Sequence, residues 1–139
     1  MKKTVRILAF AITLIMLALT LASCGAPNSD PDKAKKALEK NGYTAVKTNG
    51  YFSGIAAAFL GKENTVDASV TGTKTETDKD GNKKTESVFI LYFKTADAAK
   101  DAWDDIKSEN EKKDDSDWVV ARSGKIIYYG TKAAIKAAR

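Results

Sequence analysis

The middle of the chain carries the pattern that most limits how the protein can fold. Over residues 66–71 apolar and polar residues alternate, and a threonine-rich stretch continues to Thr77, which is typical of a strand with one buried and one solvated face. The polar stretch 78–82 contains Asp80-Gly81, a dipeptide that favours a tight hairpin turn. An apolar run over 88–93 follows it. These segments predict a β-hairpin, and with it an antiparallel sheet as the framework of the fold.

Amphipathic segments on both sides of this hairpin predict helices. Asp30 suits the N-cap and Pro31 the first position of a helix whose apolar stripe includes Ala34 and Leu38. Further helices are predicted, in chain order, over about 54–60, over 95–112 with Thr95 as the N-cap, and after Gly130-Thr131. The helix at 54–60 is expected to be a buried core helix, because apolar runs of this kind usually pack; a ligand-pocket lining is the alternative.

Additional strands are predicted near both ends of the domain. They lie over 43–47, 118–122 and 126–129, the last two being joined by Ser123-Gly124. The segments 65–112 and 117–139 would then both be strand–strand–helix units, with Tyr92 and Thr95 matching Tyr128 and Thr131. Duplication and convergence explain this similarity equally well. The sequence therefore predicts an α+β fold with an antiparallel sheet of four to five strands and helices packed on one face.

The N-terminal region predicts an export signal rather than part of the fold. Lys2, Lys3 and Arg6 precede a stretch from Ile7 to Leu21 that contains no charged residue. Basic residues, an apolar run and then small residues are the order found in secretory signal peptides. An uncleaved membrane anchor is the alternative, but the run is shorter than the roughly 20 apolar residues that usually span a bilayer.

The end of this apolar run, Leu21-Ala22-Ser23-Cys24, resembles the lipobox of bacterial lipoproteins. The resemblance implies that the chain is cleaved between Ser23 and Cys24 and that the thiol of Cys24 carries a lipid. A cysteine suits this role because its thiolate is a strong nucleophile. An ordinary cleavage site beside an incidental cysteine is the alternative. Under the lipoprotein interpretation the chain divides into a signal peptide over 1–23, a tether over 24–30 and a single α+β domain over 31–139.

The mature part is also similar to small uncharacterised lipoproteins of low-GC Gram-positive bacteria. The similarity lies in Asp30-Pro31-Asp32, in the Tyr-Phe strand that enters an Ala/Trp helix at 92–103, and in the stretch 123–131. It implies a place in the cell envelope and an α+β fold. It implies no activity and no binding site.

Composition argues against several functional classes. The chain contains no histidine, so the usual general base near neutral pH and the His-dependent nucleophile pairs are absent. Its only cysteine is Cys24, so no His or Cys metal site can form. Removal of Lys2, Lys3 and Arg6 with the signal lowers the formal charge from +5 to +2. A charge so close to neutral does not indicate a nucleic-acid partner.

Carboxylates are the remaining candidates for chemistry. Paired acids could hydrolyse a glycosidic bond, but no pattern in the sequence places two of them in a dry cleft. The acids considered are Asp104, Asp105, Asp114, Asp115 and Asp117. The polar turn after residue 77 resembles a calcium loop only superficially, since Lys83 and Phe89 occupy the positions that require Gly and a bidentate acid. No catalytic, metal-binding or ligand-binding residue is therefore assigned.

These observations predict a surface lipoprotein on the extracytoplasmic face of the cell membrane, not an enzyme. We expect its partners to be the membrane, through the lipid on Cys24, and either another envelope protein or a cell-wall component. No cofactor and no nucleic acid are expected. The alternative is a small-molecule or glycan sensor domain of a membrane complex. Tyr128 and Tyr129 could contribute a contact for sugar or peptide, although alternation along a strand places them on opposite faces.

Overall fold

The computed structural model describes residues 25–49, 65–111 and 114–139. These residues form three helices and five strands. The helices are α1 (Pro31–Lys40), α2 (Ala96–Asn110) and α3 (Lys132–Ala137). The strands are β1 (Thr44–Asn49), β2 (Val66–Thr77), β3 (Lys83–Phe93), β4 (Trp118–Ser123) and β5 (Ile126–Thr131). The helix predicted at 54–60 lies outside the described residues.

The five strands form one antiparallel sheet in the order β1-β2-β3-β5-β4. Its centre is the predicted hairpin: β2 pairs with β3 from Val66 opposite Phe93 to Thr77 opposite Lys83, with one irregularity near Val66. Strands β4 and β5 form a second hairpin that joins the sheet through β3. The predicted α+β class and the antiparallel sheet are confirmed.

Helices cover both faces of this sheet. On the first face α1 and α3 pack over Val70, Val88, Ile90 and Tyr128, while α2 packs on the second face over Leu91, Phe93 and Ile127. The sequence had suggested that the helices lie on one face. The difference arises because β3 and β5 are apolar at consecutive positions, so both faces of the sheet centre must be shielded from water.

Helix α1 shows how local signals set an element boundary. The Asp30 carboxylate oxygen Oδ1 accepts hydrogen bonds from the backbone N–H groups of Asp32 (2.9 Å) and Lys33 (3.2 Å), as the predicted N-cap requires. The helix ends at Lys40 with Asn41 as its C-cap, and Gly42 at φ 82° turns the chain toward β1. An ion pair of 2.7 Å between Asp32 and Lys47 also joins the start of α1 to β1.

The two strand–strand–helix units exist, but they differ in where the helix goes. A rotation that superposes the β2–β3 hairpin on the β4–β5 hairpin does not exchange the two faces of the sheet. The helices of two repeated units would therefore lie on the same face, but α2 and α3 lie on opposite faces. Thr95 caps α2 by accepting from the N–H of Ala98 at 3.1 Å. Thr131 makes no such cap, and its hydroxyl donates to the Ser87 carbonyl at 3.4 Å. The sequence similarity therefore does not extend to a repeated three-dimensional unit.

The central hairpin is longer than its neighbours. Pairing with β1 stops at Thr73, and pairing with β5 stops at Val88. Beyond these positions residues 74–86 form a two-stranded projection, here called the arm. At the turn, the Asp78 side chain accepts from the N–H groups of Asp80 and Asn82 at 2.9 and 2.8 Å. These bonds assign Asp78 a role in the turn.

None of the helices in the described part of the chain has the length and the apolar character needed to cross a bilayer.

Replacing Gly130 by alanine is expected to destabilise the fold strongly. An added Cβ would lie 2.7 Å from Val88 Cα and closer still to the Ser87 carbonyl oxygen, and φ is 153°. Since the obstacle is the backbone of β3, we expect a loss of about 2–4 kcal/mol in the free energy of unfolding, measured by urea denaturation.

Gly124→Ala is the matched control. Gly124 has φ 57°, but an added Cβ meets no atom within 4 Å among the described residues. Only the backbone strain remains, which costs about 1 kcal/mol. Equal losses in the two variants would contradict the close approach of β5 to β3 at Gly130.

Candidate functional site

The predicted site residues Ser23 and Cys24 precede the described residues, which begin at Gly25. Lipid attachment at Cys24 and cleavage before it therefore stay predictions. The described residues that follow immediately, 25–30, are called the N-terminal segment. The sequence suggested that they form a tether, and the structure shows how they are held.

The N-terminal segment lies against the domain. Ala26 is half-buried against the core of the first face, and Pro27 is buried. Asn28 is bonded on two sides: its N–H donates to the Ala138 carbonyl (2.9 Å), and its carbonyl oxygen accepts from the Tyr92 hydroxyl (2.8 Å). The chain is therefore fixed to the fold from Ala26 onward, and any free spacer after Cys24 is no longer than Gly25.

Tyr92 is a stable donor for this contact. Its side chain is only 5% exposed. Burial raises the pKa of the Tyr92 phenol above its usual value, and the negative charge of Asp30 adds to the rise. The hydroxyl therefore keeps its proton at neutral pH and donates to the Asn28 carbonyl.

A second polar cluster lies where the arm leaves the sheet. The hydroxyl of Tyr43, a buried residue just before β1, donates a hydrogen bond to the Glu86 carboxylate at 2.5 Å. The Lys74 ammonium lies 5.7 Å from the centre of the Tyr43 ring and 2.5 Å from a carboxylate oxygen of Glu76. Burial and the bond to Glu86 raise the pKa of Tyr43, so it remains a neutral donor. These contacts connect both strands of the arm to the body of the domain.

One side of the arm and the adjoining sheet is lined by hydroxyl groups. Alternation along β1, β2 and β3 places the side chains that carry these hydroxyl groups on the second face of the sheet. Pairing between the strands puts Thr73 of β2 between Thr44 of β1 and Ser87 of β3. The Thr75 and Thr85 hydroxyls are 3.1 Å apart, within hydrogen-bonding distance. We call this surface the hydroxyl face; its residues are Thr44, Thr73, Thr75, Thr77, Thr85 and Ser87. All are exposed except Ser87, which is half-buried.

A row that is apolar except at Thr71, here called the apolar row, borders the hydroxyl face. It crosses all five strands through directly paired residues: Val46, Thr71, Phe89, Tyr129 and Val120. The Phe89 and Tyr129 rings are stacked, with centroids 5.1 Å apart and planes 14° apart. Val46 is 56% exposed, and the other four residues are half-buried. Hydroxyl groups beside apolar and aromatic side chains can contact either a polypeptide or a sugar.

The acids considered from the sequence do not converge. Asp104 and Asp105 lie on the exposed side of α2, and Asp114, Asp115 and Asp117 are exposed before β4. Asp115 accepts from the N–H of Asp117 at 3.0 Å within this turn. Within residues 25–49, 65–111 and 114–139, no group of three or more acidic, histidine or cysteine side chains could hold a metal ion.

Tyr128 and Tyr129 lie on opposite faces, as strand alternation predicts. Tyr128 is 6% exposed and belongs to the core of the first face, whereas Tyr129 is half-buried in the apolar row. Only Tyr129 is therefore placed for a contact with a ligand. No sequence pattern predicts the hydrogen bonds between Asn28 and Tyr92 or between Tyr43 and Glu86, because the two partners of each bond are at least 43 residues apart in the chain.

The buried Tyr92 predicts a loss of stability at alkaline pH. Because folding raises the pKa of this phenol, its contribution to stability is fully present below the ordinary tyrosine pKa of about 10 and falls as the pH rises above it. Tyr92→Phe should reduce the slope of unfolding free energy against pH above about pH 10 by up to about 1.4 kcal/mol per pH unit. Urea denaturation at a series of pH values measures it.

Tyr128→Phe is the control for the change in the slope of unfolding free energy against pH. Burial raises the pKa of Tyr128 as well, but the positive charge of Arg139 opposes the rise. We therefore expect a smaller change in slope than for Tyr92→Phe. An unchanged slope in Tyr92→Phe would contradict the buried, donating phenol beside Asn28.

Comparison of the chain with protein-family models, with curated proteins and with solved structures found no match.

Proposed function

We propose that this protein is a lipoprotein on the extracytoplasmic face of the cell membrane, whose α+β domain binds a partner in the cell envelope and catalyses no reaction. The signal-like N-terminus and the lipobox-like residues 21–24 support this location. A lipid on Cys24 would hold the domain at the membrane. The partner is another envelope protein or a component of the cell wall.

The observation that carries the binding role is the arm. It extends past β1 on one side and past β5 on the other, so each of its strands has an edge without a neighbouring strand among the described elements. Such edges present backbone N–H and C=O groups that can pair with an extended segment of another protein. The Tyr43–Glu86 bond at the base of the arm supports a defined direction for this surface.

The hydroxyl face favours a second candidate, a glycan or small-molecule sensor in a membrane complex. Exposed threonine hydroxyls both donate and accept hydrogen bonds, which suits a polyhydroxylated ligand. The stacked Phe89 and Tyr129 rings at its border offer an apolar surface for the C–H groups of a sugar ring. A cell-wall polymer would satisfy both this candidate and the proposed envelope location.

The proposed location is tested by Cys24→Ser in the full chain. Each buried lipid methylene contributes about 0.8 kcal/mol to membrane binding, so loss of the acyl chains should release the protein from the membrane fraction. Cell fractionation and the mass of the N-terminal peptide measure the outcome. Ser23→Ala, which keeps a small residue beside the cysteine, should remain in the membrane. Retention of Cys24→Ser would refute lipid anchoring through this residue.

Whether the hydroxyl face of the arm contacts the partner is tested by crosslinking in intact cells followed by affinity capture and mass spectrometry. The double variant Thr75→Ala/Thr85→Ala removes the paired hydroxyls from the arm. Loss of two hydrogen bonds worth about 1 kcal/mol each should weaken binding roughly thirtyfold. Binding of the purified protein to isolated cell-wall material, measured in parallel, distinguishes a glycan from a protein partner.

The matched control is Glu76→Gln/Lys84→Gln. These two residues form the next pair along the same arm but face the other side of it. Capture should be unchanged in this control. If the two double variants lose capture equally, or if neither does, the hydroxyl face is not the contact surface.

A further inference from the structure

The N-terminal segment limits how far the domain can lie from a lipid on Cys24. Only Gly25 lies between Cys24 and Ala26, and the two residue steps from Cys24 to Ala26 span at most about 7 Å. Ala26 packs against the core of the first face, and Asn28 is hydrogen-bonded to Ala138 and Tyr92. The attachment point is therefore held within a few ångströms of one defined place on the domain.

That place lies at one end of the sheet, here called the anchor end. Tyr92 is near the last residue of β3, and the neighbouring Phe93 N–H donates to the Lys125 carbonyl in the β4–β5 turn at 2.8 Å. The Lys94 N–H donates to the Thr65 carbonyl just before β2 at 2.9 Å. The end of β3, the start of β2 and the β4–β5 turn thus lie on the side of the domain where the lipid would be.

The arm lies at the opposite end. Strand β3 runs from Phe93 at the anchor end to Lys83 next to the turn of the arm. Its ten residue steps cover about 33 Å at about 3.3 Å per residue. The Tyr43–Glu86 bond lies at the base of the arm, so the arm continues the direction of the sheet.

From these contacts we infer that the lipidated protein rests on the membrane in one orientation, with the anchor end against the lipid headgroups and the arm directed away from them. The inference depends on the lipidation of Cys24 proposed above. It adds that the headgroup surface is itself a binding partner of the β4–β5 turn and of the end of β3. The hydroxyl face would then be presented about 20 Å from the bilayer at Ser87 and about 33 Å at Thr77, at about 3.3 Å per residue from Phe93.

The orientation follows from the fixed chain and not from attraction between charges. Exposed Lys94 and Lys125 lie near the anchor end, but so do the exposed Asp67 and Asp97. A surface of mixed charge exerts little net force on anionic headgroups. The orientation should therefore persist when the salt concentration rises from 0.1 to 1 M, where the screening length falls from about 10 to about 3 Å.

The test uses the full lipidated chain in vesicles that contain a phospholipid with a quencher on its headgroup. Because Cys24 is blocked by lipid, an introduced cysteine can be labelled alone with a fluorophore, in Lys125→Cys at the anchor end or in Asp80→Cys at the turn of the arm. We expect the headgroup quencher to reduce fluorescence several-fold at position 125 and very little at position 80. Equal quenching at the two positions, or a difference that disappears in 1 M salt, would overturn the inference.

An insertion provides the matched variant. Six Gly-Ser residues between Cys24 and Gly25 add up to about 20 Å of reach without changing the contacts of Ala26 or Asn28. Quenching at position 125 should then fall toward that at position 80. The same six residues inserted between Gly81 and Asn82 should leave quenching at position 125 unchanged. Loss of quenching with both insertions, or with neither, would contradict the short fixed connection.

The lipid itself is measured separately, by flotation of the protein with the vesicles and by the mass of its N-terminal peptide. If the protein is acylated and floats with the vesicles, but the fluorophores at positions 125 and 80 are quenched equally, the inferred orientation alone is refuted. A protein without acyl mass that does not float refutes the proposed anchoring, and the inferred orientation with it.

Discussion

Burial on both faces of β3 and β5 is the constraint from which the rest of the fold follows. These neighbouring central strands carry apolar residues at consecutive positions, as in Ile90-Leu91 and Ile127-Tyr128. A sheet of this kind cannot leave either face to water, so one layer of helices is insufficient. Helices α1 and α3 close the first face, and α2 closes part of the second. Beside β1 and β2 the same second face bears threonines that are exposed among the described residues.

The local elements of this chain could be predicted, whereas their arrangement in space could not. The hairpin, the Asp30 and Thr95 caps and the turn at Ser123-Gly124 depend on residues within a few positions of one another. The side of the sheet that a helix covers depends on the path of its connection. Strand β3 reaches α2 through two residues, while α3 begins directly after β5. The apolar run 88–93 was nonetheless evidence for two covered faces, since a strand with one wet face alternates.

The candidate site was less predictable than the fold, for a related reason. A short stretch of small and polar residues with a proline is typical of a flexible spacer. No residue near Asn28 in the sequence indicates that this stretch is instead fixed to the domain. Its partners, Tyr92 and Ala138, are 64 and 110 positions away. The hydroxyl face could be predicted only in part from the sequence. The threonines of β2 indicate a solvated face, but the register in which β2 pairs with β1 and β3, which brings Thr44 and Ser87 beside them, could not be predicted.

The alignment of the strands has a mechanical consequence for a protein held at both ends. If the N-terminal segment is fixed to a membrane and the arm to a wall component, tension between the two runs along β2 and β3. The load enters through the hydrogen bonds of Asn28 to Tyr92 and Ala138 and leaves through the turn of the arm, so the covalent backbone of β3 carries it between these two points. Hydrogen bonds in an antiparallel sheet are perpendicular to the strands, so the bonds to β1 and β5 are not the first to break under this load. The contacts of Asn28 would then separate before the sheet opens, and the connection to the membrane would lengthen while the core stays folded.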